Sequence, residues 1–98
     1  MRVDYYIRRR ARLDIDDARD WYESQQTGRG DEFVAELHER ISELRDYPHL
    51  SCLVSRRIRA VRLKRSRFII YFTIENDSII ILSVQHERAH PNKRRGRG

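Results

Sequence analysis

His86 and His90 sit four residues apart in SVQHERAHPNKRRGRG, residues 83–98, which follows the aliphatic run Ile79 to Leu82. With Tyr71 and Arg88 they form a set suited to phosphodiester cleavage. Tyrosine and histidine can serve as proton donor and acceptor, and arginines can stabilise the charge of the transition state. The plainer reading places Tyr71 in a strand wall and the histidines on the surface. A second set is basic: Arg56, Arg57, Arg59, Arg62, Lys64, Arg65 and Arg67, with no acid among them. Arginine binds phosphate bidentately, so this run suits a polyanion or an acidic protein. It also suits an edge strand guarded against aggregation by its charges. Two histidines without cysteines or nearby strand carboxylates are too few ligands for a metal, and no cofactor motif is present. The GRG at 28–30 lacks the preceding strand and remaining residues of a phosphate-cradling loop. No G-x-S-x-G occurs, and nothing supports a nucleophilic hydrolase.

These side chains must be held by something small. The chain has 98 residues, enough for one domain. A domain of this length buries somewhat over ~60% of its extended surface, so its core is modest. The single Cys52 can form no internal disulfide, which fits a reducing cytosol and a buried or half-buried thiol. No apolar run approaches the ~18 residues of a membrane span. The N-terminal Val3 to Ile7 is too short and polar for a signal peptide. A cytoplasmic protein without a membrane partner is expected.

The net charge of +6 is segregated. Residues 1–12 carry +4, residues 13–47 carry −7, residues 56–67 carry +7, residues 68–84 carry −2 and residues 85–98 carry +4. Solubility alone does not require such a layout.

Residues 3–7 read as a short strand. Ala11, Ile15, Ala18 and Tyr22 mark one face of a helix from 11 to about 26, with Asp14, Asp16 and Asp17 placed early to suit its dipole. TGRG at 27–30 breaks it. Phe33, Leu37, Ile41 and Leu44 form the core stripe of a second helix, from about 31 to 47, ended by Pro48. Trp21, Tyr22 and Phe33 are most simply the contact within this hairpin. The runs 56–63, 67–74 and 79–84 are β-branched or aromatic strands, and Asn76 and Asp77 provide a tight turn. The predicted class is α+β, in the order β-α-α-β-β-β: an antiparallel helical hairpin on one face of an antiparallel sheet, the other face exposed. Arg57 and Arg59 share strand parity, while Arg62 points oppositely or marks a bulge.

Taken in order, ARDWYESQQTGRGDEFVAEL, the ending Ile41, Leu44, Pro48, then RAVRLKRSRFIIYF and ILSVQHERAHP resemble the RelE/ParE superfamily of toxins from type II toxin–antitoxin systems. The resemblance runs from about Val3 to Pro91. It implies one domain over 1–91 and leaves 92–98 as a flexible basic tail. It implies a cognate antitoxin, docked as an extended or helical segment on the hairpin and sheet edge, with Trp21, Tyr22, Leu37 and Ile41 as its contacts. RelE-like members cleave mRNA on the ribosome, and here His86, Arg59 and Tyr71 would have to serve as catalytic residues. ParE-like members inhibit DNA gyrase and do no known chemistry. This sequence departs from the cleaving pattern at Ile69, where an arginine is common, and at Ala89, which interrupts the H-x-R-R ending. It also lacks the late aromatic. The resemblance is therefore closer to ParE-like members, with Arg59, Arg62, Lys64, Arg67 and Arg88 facing the target. A plain nucleic-acid-binding module is the third reading. Two acidic helices and a basic strand without stacking aromatics speak against it.

Overall fold

The computed structural model describes residues 3–49 and 51–89. The elements are β1 (Asp4–Ile7), α1 (Arg9–Gln25), α2 (Arg29–Asp46), β2 (Cys52–Leu53), β3 (Arg59–Arg62), β4 (Phe68–Glu75), β5 (Ser78–His86) and a short 3₁₀ turn (Glu87–Ala89). The residues 90–98 lie outside those described, so His90 and the basic tail are not placed.

The α+β class and the helical hairpin on a sheet are as expected, but the sheet is mixed. Its order is β1-β5-β4-β3-β2. The meander β3-β4-β5 is antiparallel, whereas β1 runs parallel to β5, pairing Tyr5 with Ile79 and Ile7 with Ile81. The Arg8 N–H extends this ladder to the Ile81 carbonyl at 3.0 Å. β1 thus fills the free edge of β5, which would otherwise expose its backbone donors and acceptors. The strand expected over 56–63 is shorter, confined to β3. Val54 and Ser55 both donate to the Ile58 carbonyl, so residues 54–58 form a turn, and the two-residue β2 pairs antiparallel with β3. Cys52 is exposed on β2 rather than buried.

The core forms where the helix stripes meet one sheet face. Ala11 and Ala18 of α1 and Phe33, Leu37, Ile41 and Leu44 of α2 are buried. They pack with Ile70, Phe72, Ile79, Ile81 and Val84. The spacing 79, 81, 84 breaks strict alternation. The register shifts between Tyr71 and Phe72: Tyr71 faces Ser83, but Phe72 faces Ile81. Leu82 is the extra residue of a bulge that returns Val84 to the core face. Asp14 serves this irregularity, its Oδ2 accepting the Val84 N–H at 3.0 Å. Because α1 begins at Arg9, Asp14, Asp16 and Asp17 lie beyond its first turn, and the dipole is not what places Asp14. The outer face is drier than expected. Ile69, Tyr71 and Ile80 are half-buried, and Thr73, opposite Ile80, is 7% exposed, as cross-strand pairing favours.

Turn chemistry fixes the hairpins. Asn76 and Asp77 both take positive φ, 49° and 62°, the backbone of a two-residue type I′ connection. Between the helices, Gly28 sits at φ 93°. Its N–H and that of Gly30 donate to the Glu23 carboxylate at 3.1–3.2 Å, satisfying amides that the start of α2 leaves open. Gly30 also lies against the backbone of Arg19, where a Cβ would come within 2.8 Å of the carbonyl oxygen.

Candidate functional site

The β3 end, the β3–β4 turn and the 3₁₀ turn after β5 converge at one end of the sheet. Three carboxylates organise the basic residues there. Glu87 bridges two arginines: Arg62 Nη2 meets one carboxylate oxygen at 2.9 Å and Arg67 Nη1 meets the other at 2.8 Å. The Glu87 N–H also donates to the Arg67 carbonyl at 2.8 Å. The hydrogen bond from Arg67, joined by the charges of Arg62, Arg67 and His86, holds the Glu87 carboxyl below its ordinary pKa against partial desolvation. Glu43 takes a second pair, Arg40 at 2.8 Å and Lys64 at 3.6 Å, and the Arg40 hydrogen bond leads in lowering its pKa. Arg40 Nε reaches the Arg62 carbonyl at 3.0 Å, tying α2 to β3.

Glu36 holds the turn itself. It is 6% exposed. It accepts the N–H of Arg65, and the N–H and hydroxyl of Ser66 at 3.1 and 2.7 Å. Burial alone would raise its pKa, but these hydrogen bonds and the Arg65 charge outweigh it, and the pKa is lowered. In the sequence Glu36 is one of eleven acids over residues 13–47. Its spacing held the signal: three residues after Phe33 and one before Leu37, it lies on the core-facing side of α2.

The expected target-facing residues separate. Arg62, Lys64 and Arg67 gather at this end, their side chains 65%, 69% and 66% exposed, with Arg88 exposed beside Glu87. Arg59 does not join them. It pairs with Phe72 and so has the parity opposite to Arg62. It is half-buried, and its Nη1 donates to the Ser51 carbonyl at 3.3 Å.

The expected catalytic residues are also apart. His86 pairs with Phe68, and Tyr71 pairs with Ser83. Phe68 and Tyr71 are three positions apart, so Tyr71 lies on the outer face and His86 on the helix face. The His86 ring meets Phe68 edge-on at 5.2 Å, and its Nδ1 accepts the Arg88 N–H at 3.0 Å. Arg59 shares the side of His86 but sits four residues further along the sheet, about 13 Å at the rise of a strand. Among the described residues, no three His, Cys, Asp or Glu side chains are grouped to hold a metal.

The residues assigned to the antitoxin divide as well. Tyr22 stacks on Phe33 at 5.4 Å, and Trp21 meets Tyr22 edge-on at 5.0 Å while remaining 55% exposed. Leu37 and Ile41 are each 1% exposed. They fill the core between α2 and the sheet and present no surface to a partner. A cleft of about 290 Å³ opens beside Trp21, bounded by Arg10, Asp14, Asp17, Phe68 and His86.

Comparison with known proteins decides the family. The model for the ParE toxin of the type II toxin–antitoxin system, parDE, matches residues 5–91. The chain belongs to the ParE toxin family. It is thus a type II toxin–antitoxin toxin of the wider RelE/ParE group. The ParE match runs from Tyr5, within β1, past the 3₁₀ turn. Solved structures share this fold. A chain of the chromosomal ParDE system from P. aeruginosa superposes with a TM-score of 0.76 at 19% identity, covering 86% of this chain and 95% of that one. A chain of the RelBE2 toxin–antitoxin complex from Mycobacterium tuberculosis gives 0.63 at 14% identity, covering 89% and 100%. No curated protein sequence matches significantly. Among the described residues, no helix is long and apolar enough to cross a membrane.

Proposed function

We propose that this ParE-family toxin arrests growth by inhibiting DNA gyrase, without cleaving mRNA, and that a cognate antitoxin neutralises it in the cytoplasm. The observation that carries the reading is the register that puts His86 and Tyr71 on opposite sheet faces. A general acid and base must both reach the reacting ribose and phosphate. These two cannot do so from one pose of a strand. The ParE family match and the ParDE neighbour favour the same side. Both structural neighbours belong to toxin–antitoxin systems, which supports an antitoxin as partner. On this chain the surface for it is the exposed Trp21 with the hairpin around it.

The target-facing surface is the basic end of the sheet, with Arg62, Lys64, Arg67 and Arg88. Induced expression of the chain alone is expected to stop growth, and co-expression of the antitoxin to restore it. The variant combining His86→Ala and Tyr71→Phe is expected to keep its growth arrest to within about twofold, because neither side chain does chemistry. Colony counts after induction, with soluble protein checked by gel, measure this. A folded double variant that no longer arrests growth would return the nuclease reading to first place.

A further inference from the structure

The ion pair at Glu87 has the form of an occupied binding site. Two guanidiniums from the two sides of the β3–β4 turn, Arg62 at the end of β3 and Arg67 just before β4, each hold one oxygen of a single carboxylate at 2.9 and 2.8 Å. Both arginine side chains are about two-thirds exposed, at 65% and 66%, while the carboxylate between them is 23% exposed. A ligand arriving from solvent can therefore reach the arginines before it meets Glu87. The fork is braced from behind: the Arg62 carbonyl accepts from Arg40, and the Arg67 carbonyl accepts the Glu87 N–H. That last bond is a backbone bond, so the turn stays attached when the Glu87 side chain swings out.

We infer that the Arg62–Arg67 fork is a binding site for a carboxylate of an acidic protein segment, and that Glu87 occupies it in the free chain as an internal competitor. The inference deepens, and rests on, the reading of this rim as the target-facing surface. The chemistry of the resident group argues for a carboxylate: two planar forks closing on one carboxylate are already matched to another. The local charge argues against a nucleic-acid backbone. Glu43 stands close by, holding Arg40 and Lys64, so a run of phosphates would meet a second acid where a single incoming carboxylate need displace only Glu87. An internal competitor weakens binding to every acid by the same factor, so an incoming carboxylate must outbind Glu87 to hold the fork. Glu87 thus lowers the affinity of the fork for every acid without changing the ratio between them.

Glu87→Gln keeps the shape and the backbone bond and removes the charge. Its binding to a fluorescently labelled hexaglutamate peptide, followed by anisotropy at low salt, is expected to tighten by about threefold to tenfold. Glu75→Gln makes the same change in net charge at the opposite end of β4, where Glu75 is exposed, and should change affinity by less than about 1.5-fold. Adding Arg67→Ala to Glu87→Gln should remove the gain. Equal tightening by the two glutamine variants would overturn the site, since only net charge would then matter. No tightening by Glu87→Gln would overturn it too, as would a gain seen only with an oligonucleotide of equal charge. Gyrase inhibition by the wild-type chain is measured in parallel. If that fails while the hexaglutamate gain persists, the fork stands and the gyrase reading falls.

Discussion

Replacing Phe72 by alanine is expected to cost about 3–5 kcal/mol of folding stability. Phe72 is the largest of the fully buried side chains and is 0% exposed. It sits mid-sheet between Arg59 of β3 and Ile81 of β5, with a strand paired on either side. A domain of this size holds only about 5–15 kcal/mol in total, so the loss takes a large share of it. The urea midpoint should fall with little change in slope. Ile69→Ala provides the contrast. Ile69 is on the outer face, opposite Gln85 and half-buried, and its truncation should cost about 1 kcal/mol. Comparable losses at the two sites would mean that the outer face is as much a core as the helix face.

Glu36→Leu is the second large effect, about 2–4 kcal/mol, and it acts through unmet hydrogen bonds rather than through a void. The substitution strips the acceptor from the N–H groups of Arg65 and Ser66 and from the Ser66 hydroxyl. It also alters the dependence on pH. The folded pKa of Glu36 lies below its ordinary value of 4.5, so the unfolded chain takes up the proton first. The stabilisation from this carboxylate is therefore complete above that ordinary value and is lost as pH falls through the lower, folded one. In urea titrations between about pH 7 and pH 3, the wild-type chain should lose more stability towards acid than Glu36→Leu does. Parallel acid limbs would show that Glu36 is not the group being titrated. Because the turn it fixes carries Lys64 and Arg67, the folded variant should also arrest growth less well.

Some of this was legible in the sequence. The stripe Phe33, Leu37, Ile41, Leu44 marked the buried side of α2, and Asn76–Asp77 marked a tight turn, because both are local properties of the chain. The same stripe should have excluded Leu37 and Ile41 as antitoxin contacts: a residue that fills the core cannot also face a partner. Pairing partners were not legible. Periodicity tells which face a residue takes but not which strand lies beside it, so the parallel β1–β5 contact did not show. The bulge at Leu82 stayed hidden within IIILSV, where every position is apolar or small. The parity argument correctly set Arg59 against Arg62. Counting charge by segment then concealed Glu36, Glu43 and Glu87, because each acid has at least one partner from a different segment of the chain.

The central claim is that this toxin acts on gyrase and carries no nuclease centre. The measurement that meets it most directly is made on one preparation of the purified chain, divided between two assays. One follows supercoiling of relaxed plasmid by DNA gyrase, and the other follows mRNA length in a translating extract, each with and without antitoxin. The account predicts that the chain blocks supercoiling, that the antitoxin relieves the block, and that mRNA stays full length throughout. Supercoiling that proceeds unhindered while mRNA is cut would contradict it.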